Sequence, residues 1–324
     1  MTAAHLSKLH ATGNDFLVWS WLGSEGATAT VTVTAAQARA LCDRHTGIGA
    51  DGLIVVKPGT ATDGEGGADV EMLLFNADGG VAEMSGNGIR ALAWAAVRDG
   101  CGRDGRLVVD TGGGRREVDV ELEPASGGVV FATVDMGPVT FVPEQIPVAL
   151  TDAAGLTAEF HGTHYEGDAA GMGNPHLVLF VEDPGTARVT QHGPHLEHDP
   201  RFPQRTNVEF VRVTPGATDE LDMRVWERGV GETLSCGTGA SAAAAVAHRR
   251  GLVGERVTVH VPGGDLTVEL GATPGQGIRL GGPVVHVFDT TVELDALHAD
   301  DRADGDDRAD GVDGASRHGP VTTA

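Results

Sequence analysis

The chain has 324 residues, a hydrophobic fraction of 40%, 48 glycines and a formal net charge of −23 at pH 7. That length holds one large domain or two of ordinary size, and a chain this acidic repels phosphate backbones, which argues against a nucleic-acid partner. Three cysteines, Cys42, Cys101 and Cys236, are too few and too odd for a disulfide framework. The N-terminus shows no apolar signal core and no run reaches membrane-spanning length, so the expectation is a cytoplasmic protein with no membrane contact.

In chain order, Gly13-Asn14-Asp15-Phe16-Leu17-Val18 is the first landmark. Met84-Ser85-Gly86-Asn87-Gly88-Ile89-Arg90-Ala91 then opens an Ala-rich stretch, read as a helix from Ala91 to about Val97 that stops at Gly100. Leu107-Val108-Val109-Asp110-Thr111-Gly112-Gly113 is a strand turning at glycines, and Val118, Val120 and Leu122 alternate as a second strand. Gly137-Pro138-Val139 follows.

The same landmarks then recur in the same order. Gly173-Asn174-Pro175-His176-Leu177-Val178 parallels the first, and Ser235-Cys236-Gly237-Thr238-Gly239-Ala240-Ser241-Ala242 parallels the helix opening. A helix is expected from Ala240 to about Arg250, with Gly251 as its stop. Val257-Thr258-Val259-His260-Val261-Pro262-Gly263, the alternating Leu266, Val268 and Leu270, and Gly282-Pro283-Val284 complete the match. The duplication predicts an α+β protein of two pseudo-symmetric, strand-rich domains, each with one long helix followed by a hairpin. Residues 1–135 form the first half, completed by a final strand at about 283–294, and residues 136–282 form the second. The tail at 299–324, with Asp-Arg-Ala-Asp-Gly twice, is expected to be disordered.

Cys236 stands where a glycine loop enters a helix, and the free N–H groups there favour negative charge. The expectation is a thiol pKa lowered toward neutrality, giving a base or nucleophile. Ser85 is its counterpart in the first copy. Two such groups on facing halves suit inversion at carbon: one removes a proton from one face and the other delivers one to the opposite face. The two helix N-termini are suited to hold a carboxylate and the charge that develops on it. Asn14, Asn76, Asn87, Asn174, Asn207 and the pair Glu227-Arg228 lie in turn-like segments. Arg228 suits a two-pronged carboxylate contact, while Glu227 and His176 are candidate hydrogen-bond partners of the reactive centre. His192, His195 and His198 recur every three residues, but Pro194 interrupts any helix; they read as a solvated loop, and no metal site is expected. Only Lys8 and Lys57 are available as a Schiff-base lysine, which disfavours pyridoxal phosphate.

Taken together, Gly13-Asn14-Asp15-Phe16, Arg44-His45-Thr46-Gly47-Ile48-Gly49-Ala50-Asp51-Gly52, Phe75-Asn76-Ala77-Asp78-Gly79, Ser85-Gly86-Asn87-Gly88-Ile89-Arg90, Gly173-Asn174-Pro175-His176, Thr206-Asn207-Val208 and Glu227 through Gly239 resemble the motifs of the diaminopimelate epimerase family. The resemblance implies two domains, each wrapped around a central helix. It implies cofactor-independent interconversion of LL- and meso-diaminopimelate, a small amino-acid substrate, and a homodimer. It makes Cys236 one acid/base, with His176 and Glu227 in support. It makes Asn14, Asn76, Asn174, Asn207 and Arg228 substrate contacts, along with backbone at Gly86-Asn87 and Gly237-Thr238. Two departures stand out. Ser85 replaces the family's other cysteine, and Gly52 stands where a glutamine is usual. Ser85 is expected to take the missing cysteine's role with lower or asymmetric activity.

Three other readings remain open. A same-fold one-base isomerase or dehydratase of the proline racemase or phenazine type would suit a single thiol. Loss of the cysteine at position 85 would suit a non-catalytic binding protein. Gly86-x-Gly88-x-x-Ala91 and Gly237-x-Gly239-x-x-Ala242 graze the dinucleotide fingerprint, but no apolar strand precedes the second.

Overall fold

A computed structural model of the chain describes residues 3–22, 33–60, 67–102, 104–123, 129–271 and 276–294; the tail at 299–324 lies outside them. The first set of elements is β1 (Ala3–Ala11), β2 (Asn14–Ser20), α1 (Ala35–Cys42), β3 (Gly52–Pro58), β4 (Val70–Asn76), β5 (Val81–Ala82), α2 (Gly86–Arg98), β6 (Arg106–Thr111), β7 (Gly114–Leu122) and β8 (Val129–Asp135). The second is β9 (Leu156–Phe160), β10 (Thr163–Gly171), β11 (Pro175–Phe180), α3 (Val189–Glu197), β12 (Asn207–Val213), β13 (Glu220–Glu227), β14 (Gly231–Thr233), α4 (Gly237–Arg249), β15 (Arg256–Val261), β16 (Gly264–Glu269), β17 (Arg279–Pro283) and β18 (Val285–Glu293).

The pairing repeats as the sequence does. In the first set β1–β2 is an antiparallel hairpin, β2–β3 is parallel, β3–β4 antiparallel, β4–β6 parallel, and β6–β7–β8 antiparallel. The second set runs β10–β11, β11–β12, β12–β13, β13–β15 and β15–β16–β17 in the same senses. β18 pairs with β1 as β9 pairs with β10. The two sets join where β8 runs antiparallel to β17. The fold is thus α+β and strand-rich, two domains each laid around one long helix.

The two central helices are buried nearly all round, and their sequences say why. α2 buries Ile89, Ala91, Leu92, Ala93, Ala95 and Ala96, and α4 buries an almost unbroken run from Ala240 to Ala247. A helix apolar on every face has to be enclosed. Alanine gives strong helix propensity while leaving room for strands to close in on all sides. Both helices start earlier than their alanine runs, because Ser85 and Cys236 cap them: Ser85 Oγ accepts from Gly88 N at 3.0 Å, and Cys236 Sγ from Gly239 N at 3.4 Å. Both stop at the expected glycines, Gly100 at φ 104° and Gly251 at φ 72°. An arginine at the end of α2 and one just past the end of α4 reach matching strands. Arg98 donates to Ser7 on β1 at 2.6 Å, and Arg250 clasps Asp168 on β10 at 2.7 and 2.8 Å.

The segment expected as a solvated loop is instead helix α3, with Pro194 inside it. Packing outweighs the lost hydrogen bond. Gly193 lies so close to the Trp226 ring that a Cβ would come within 2.5 Å of it. His192 is buried, its Nδ1 2.6 Å from the Tyr165 hydroxyl. His195 and His198 are exposed, as a solvated reading requires. Helix α1 was not anticipated either; Thr34 and Gln37 form a capping box at its start.

Candidate active site

The N-termini of α2 and α4 meet. A Cβ on Gly237 would lie in ordinary van der Waals contact with the facing helix, 3.5 Å from the Gly86 Cα and 3.9 Å from Asn87 Oδ1, and would crowd only Leu280 Cδ2, at 2.7 Å. Ser85 and Cys236 therefore cap two helices whose first turns touch. The N–H groups of Gly86, Asn87, Gly237 and Thr238 belong to those first turns, which have no intrahelical acceptors. Their dipoles add at one place, favourable for an anion.

Around Cys236 the polar residues converge. His176 is fully buried, with Nδ1 2.7 Å from Glu209 Oε1 and Nε2 2.8 Å from Asn174 Oδ1. Parallel pairing of β11 and β12 sets His176 beside Asn207. Asn207 donates to Pro175 O at 3.0 Å and accepts from Arg228 N at 2.9 Å. The Arg228 side chain donates to Gln204 O at 3.1 Å. Glu209 Oε1 lies against the first turn of α4, where a Cβ on Gly239 would come within 2.7 Å of it, while the buried Oε2 has no hydrogen-bond partner among the described residues. Glu227 accepts from Thr233 Oγ1 at 2.5 Å, and its charge acts on the Cys236 thiol.

These neighbours reverse the expected acidity of Cys236. Burial pushes its thiol well above the ordinary value, and the carboxylates of Glu227 and Glu209 push it further; the hydrogen bonds from Thr238 and Gly239 oppose this without overcoming it. Burial likewise raises Glu227. The helix terminus alone predicts a thiolate, but two carboxylates and exclusion of water outweigh it. In the free chain Cys236 is a neutral thiol with a proton to give and a carboxylate beside it.

The Ser85 side is different. The strand registers set Phe16 where the second copy has His176, Gly52 where it has Asn207, Ile54 where it has Glu209, and Asn76 where it has Glu227. A Cβ on Gly88 would meet Ser85 Cβ at 3.1 Å and Ile54 Cδ1 at 3.2 Å, the counterparts of Cys236 and Glu209 around Gly239. Asn76 is exposed at the end of β4, where its backbone closes a turn with Gly79 and Gly80. Gly52 leaves no side chain here, and a Cβ would crowd Phe75 O at 2.7 Å. Polar chemistry returns only at Asn14. It donates to Asp51 at 2.6 Å and accepts from Asn87 at 3.2 Å, and Arg44 ties Asp51 to Asp15.

Of the residues singled out in the sequence, His176, Asn174, Asn207, Glu227 and Cys236 are linked on one side, and Asn14, Asn87 and the Ser85 cap stand at the other. Glu209 escaped notice. Its signal was a carboxylate inside the apolar run Val208-Glu209-Phe210-Val211, on a strand buried on both faces. Arg90, Thr12 and Ser235 also escaped notice: all three are buried and hydrogen-bonded across the meeting of the helices.

The sequence profile of the diaminopimelate epimerase family matches residues 6–142 and 169–287. A diaminopimelate epimerase of Moorella thermoacetica is 42% identical over 293 residues, covering 90% of this chain and 100% of that one. Another, of Stutzerimonas stutzeri, is 40% identical over 289 residues, covering 89% and 98%. Among solved structures, a hydroxyproline epimerase from Agrobacterium vitis superposes with a TM-score of 0.62 at 16% identity, covering 90% of this chain and 92% of that one. A phenazine biosynthesis protein of Bacillus anthracis gives 0.61 at 15%, covering 90% and 100%. These two likenesses concern the fold.

The raised thiol pKa has a direct readout. In the free protein, alkylation of Cys236 by iodoacetamide should be slow at pH 7–8 and still rising above pH 9. Glu227→Gln removes one negative charge and should move the profile about 1 pH unit lower. A wild-type midpoint below pH 8 would contradict the neutral thiol.

Proposed function

This chain belongs to the diaminopimelate epimerase family, and we propose from that premise that it interconverts LL- and meso-2,6-diaminopimelate by proton transfer at one α-carbon. The reaction would serve lysine and peptidoglycan precursor supply in the cytoplasm, without pyridoxal phosphate. The observation that carries the reading is the contact of two helix N-termini, each capped by a residue able to exchange a proton.

The substrate's α-carboxylate would lie against the first-turn N–H groups of Gly86, Asn87, Gly237 and Thr238. Loss of the α-proton moves charge onto that carboxylate, where fixed N–H dipoles stabilise it most. Cys236 serves one face. Glu227, whose charge acts on its thiol, would take or return its proton, while His176, held between Glu209 and Asn174, would support the centre. Ser85 serves the other face. Its Oγ accepts from Gly88 N, which leaves the hydroxyl hydrogen to donate. Asn14, Asn76, Asn174, Asn207 and Arg228 would hold the substrate's distal amino-acid end.

No carboxylate or imidazole stands where a partner for Ser85 would be, since Ile54 and Phe16 occupy the positions of Glu209 and His176. Abstraction by Ser85 should therefore be the slow half of the reaction. The same observation favours the second reading, a one-base isomerase or dehydratase of this fold in which Cys236 acts alone.

Purified protein without added cofactor should epimerise LL-diaminopimelate. Ser85→Ala should abolish epimerisation while leaving exchange of one stereoisomer's α-proton, and Ser85→Cys should raise kcat about tenfold or more. Turnover of proline or hydroxyproline but not diaminopimelate, with Ser85→Ala fully active, would establish the one-base reading instead.

A homodimer is part of the proposal. Strand β18 pairs only with β1 among the described residues, and it leaves Val285, Val287 and Phe288 43%, 52% and 42% exposed. A long apolar edge of this kind invites pairing with a second copy. Light scattering should give twice the 33.4 kDa chain mass, and Phe288→Lys should shift it to the monomer. A monomeric wild type would end this part of the proposal.

A further inference from the structure

Arg90 is fully buried on α2 and makes no ion pair with any described residue. Burying a guanidinium without a carboxylate is costly, so its placement calls for a reason. Burial pushes its pKa down to about 9, which still leaves it a cation at neutral pH. Its Nε donates to Gly86 O at 3.2 Å, and its Nη2 donates to Asn87 Oδ1 at 2.5 Å and to Thr12 Oγ1 at 3.4 Å. The other terminal nitrogen presses on Gly282 of β17, where a Cβ would fall 1.7 Å from it.

A guanidinium can only donate, and that fixes the direction of every bond downstream. Asn87 has to offer Oδ1 to Arg90, so its Nδ2 turns to Ser235 O at 3.2 Å and to Asn14 Oδ1 at 3.2 Å. Asn14 in turn aims Nδ2 at Asp51. Thr12 accepts from Arg90, so its own hydrogen goes to Ser235 Oγ at 2.7 Å. Thr12 is held at φ 48°, a left-handed conformation that a β-branched residue adopts only under constraint. Arg90, Thr12, Asn14 and Asn87 belong to the first domain, and Ser235 is the residue before Cys236 in the second. The register counterpart of Arg90 is Ser241, which bonds Gly237 O at 2.9 Å. Among the described residues the cross-domain branch exists once.

We propose that Arg90 is a positioning residue for the proton transfer: by orienting Asn87 and Thr12 onto Ser235, it latches the first turn of α4 against that of α2 and keeps Ser85 and Cys236 in register. The inference rests on the epimerase reading for its kinetic arm and on geometry alone for its chemical arm.

The test uses Arg90→Lys, Arg90→Gln and Ser235→Ala in the full chain. The chemical arm is alkylation at pH 8 read separately at Cys236 and at Cys42, a buried cysteine in the core cluster around Leu41, Leu53 and Phe75. Cys236 should react at least tenfold faster in Arg90→Gln and Ser235→Ala, with Cys42 unchanged. The kinetic arm is the kcat–KM split. kcat should fall about tenfold or more with KM within threefold, and Arg90→Lys should recover part of it. Equal acceleration at both cysteines, or none at either, would overturn the latch. If the wild type lacks epimerase activity but Cys236 alone responds, the functional reading fails and the latch stands. If the Arg90 variants do not fold, Ser235→Ala decides by the same readouts.

Discussion

The contact between the first turns of α2 and α4 is the constraint on which the rest of the molecule depends. Gly86 and Gly237 stand at it, and a Cβ at either would crowd the Leu280 side chain of β17, at 3.0 and 2.7 Å. The contact requires two helices that run through the centres of their domains and emerge at the same point. Enclosure by strands in turn requires helices apolar on all sides, hence the alanine runs. The caps, Ser85 and Cys236, follow from the same geometry. A residue that caps a helix N-terminus is also the residue nearest to whatever anion that terminus attracts, so the structural and the proposed chemical roles fall on the same atoms.

The fold is duplicated more faithfully than the chemistry. Strand pairings, helix caps, helix stops and terminal arginines repeat from one domain to the other, because each domain solves the same packing problem. The polar set does not repeat. His176, Asn207, Glu209 and Glu227 gather beside Cys236, while Phe16, Gly52, Ile54 and Asn76 hold the corresponding places near Ser85. Burial raises the thiol, and the carboxylates of Glu227 and Glu209 beside it raise it further. The hydroxyl, whose proton is much harder to remove, has no such neighbour. An enzyme built this way would have two faces of unequal competence.

The sequence was most legible where local chemistry decides structure. Glycine stops, caps and alternating strand residues placed both long helices and the hairpins after them, and the repeated landmarks foretold the repeated pairing. It was least legible where distant residues decide. Pro194 reads locally as a break, yet Trp226 and Tyr165, far along the chain, supply packing that makes a helix there. Cys236 reads locally as an acidic thiol, yet burial, together with the carboxylates of Glu227 and Glu209 arriving from two other strands, reverses the shift. Arg90 reads as a motif residue on a helix, and only its burial without a counter-ion marks it as unusual. A charged residue amid an apolar strand, as at Glu209, was the one such signal visible in advance.

The central claim is that two different groups act on opposite faces of one α-carbon. Initial-rate conversion of LL-diaminopimelate in heavy water tests it most directly, with isotope content measured separately in remaining substrate and in product. Two groups that each keep their own proton predict deuterium in the meso product and almost none in the residual LL substrate. Comparable deuterium in both would mean that a single group, Cys236, both removes and returns the proton, and would contradict the account.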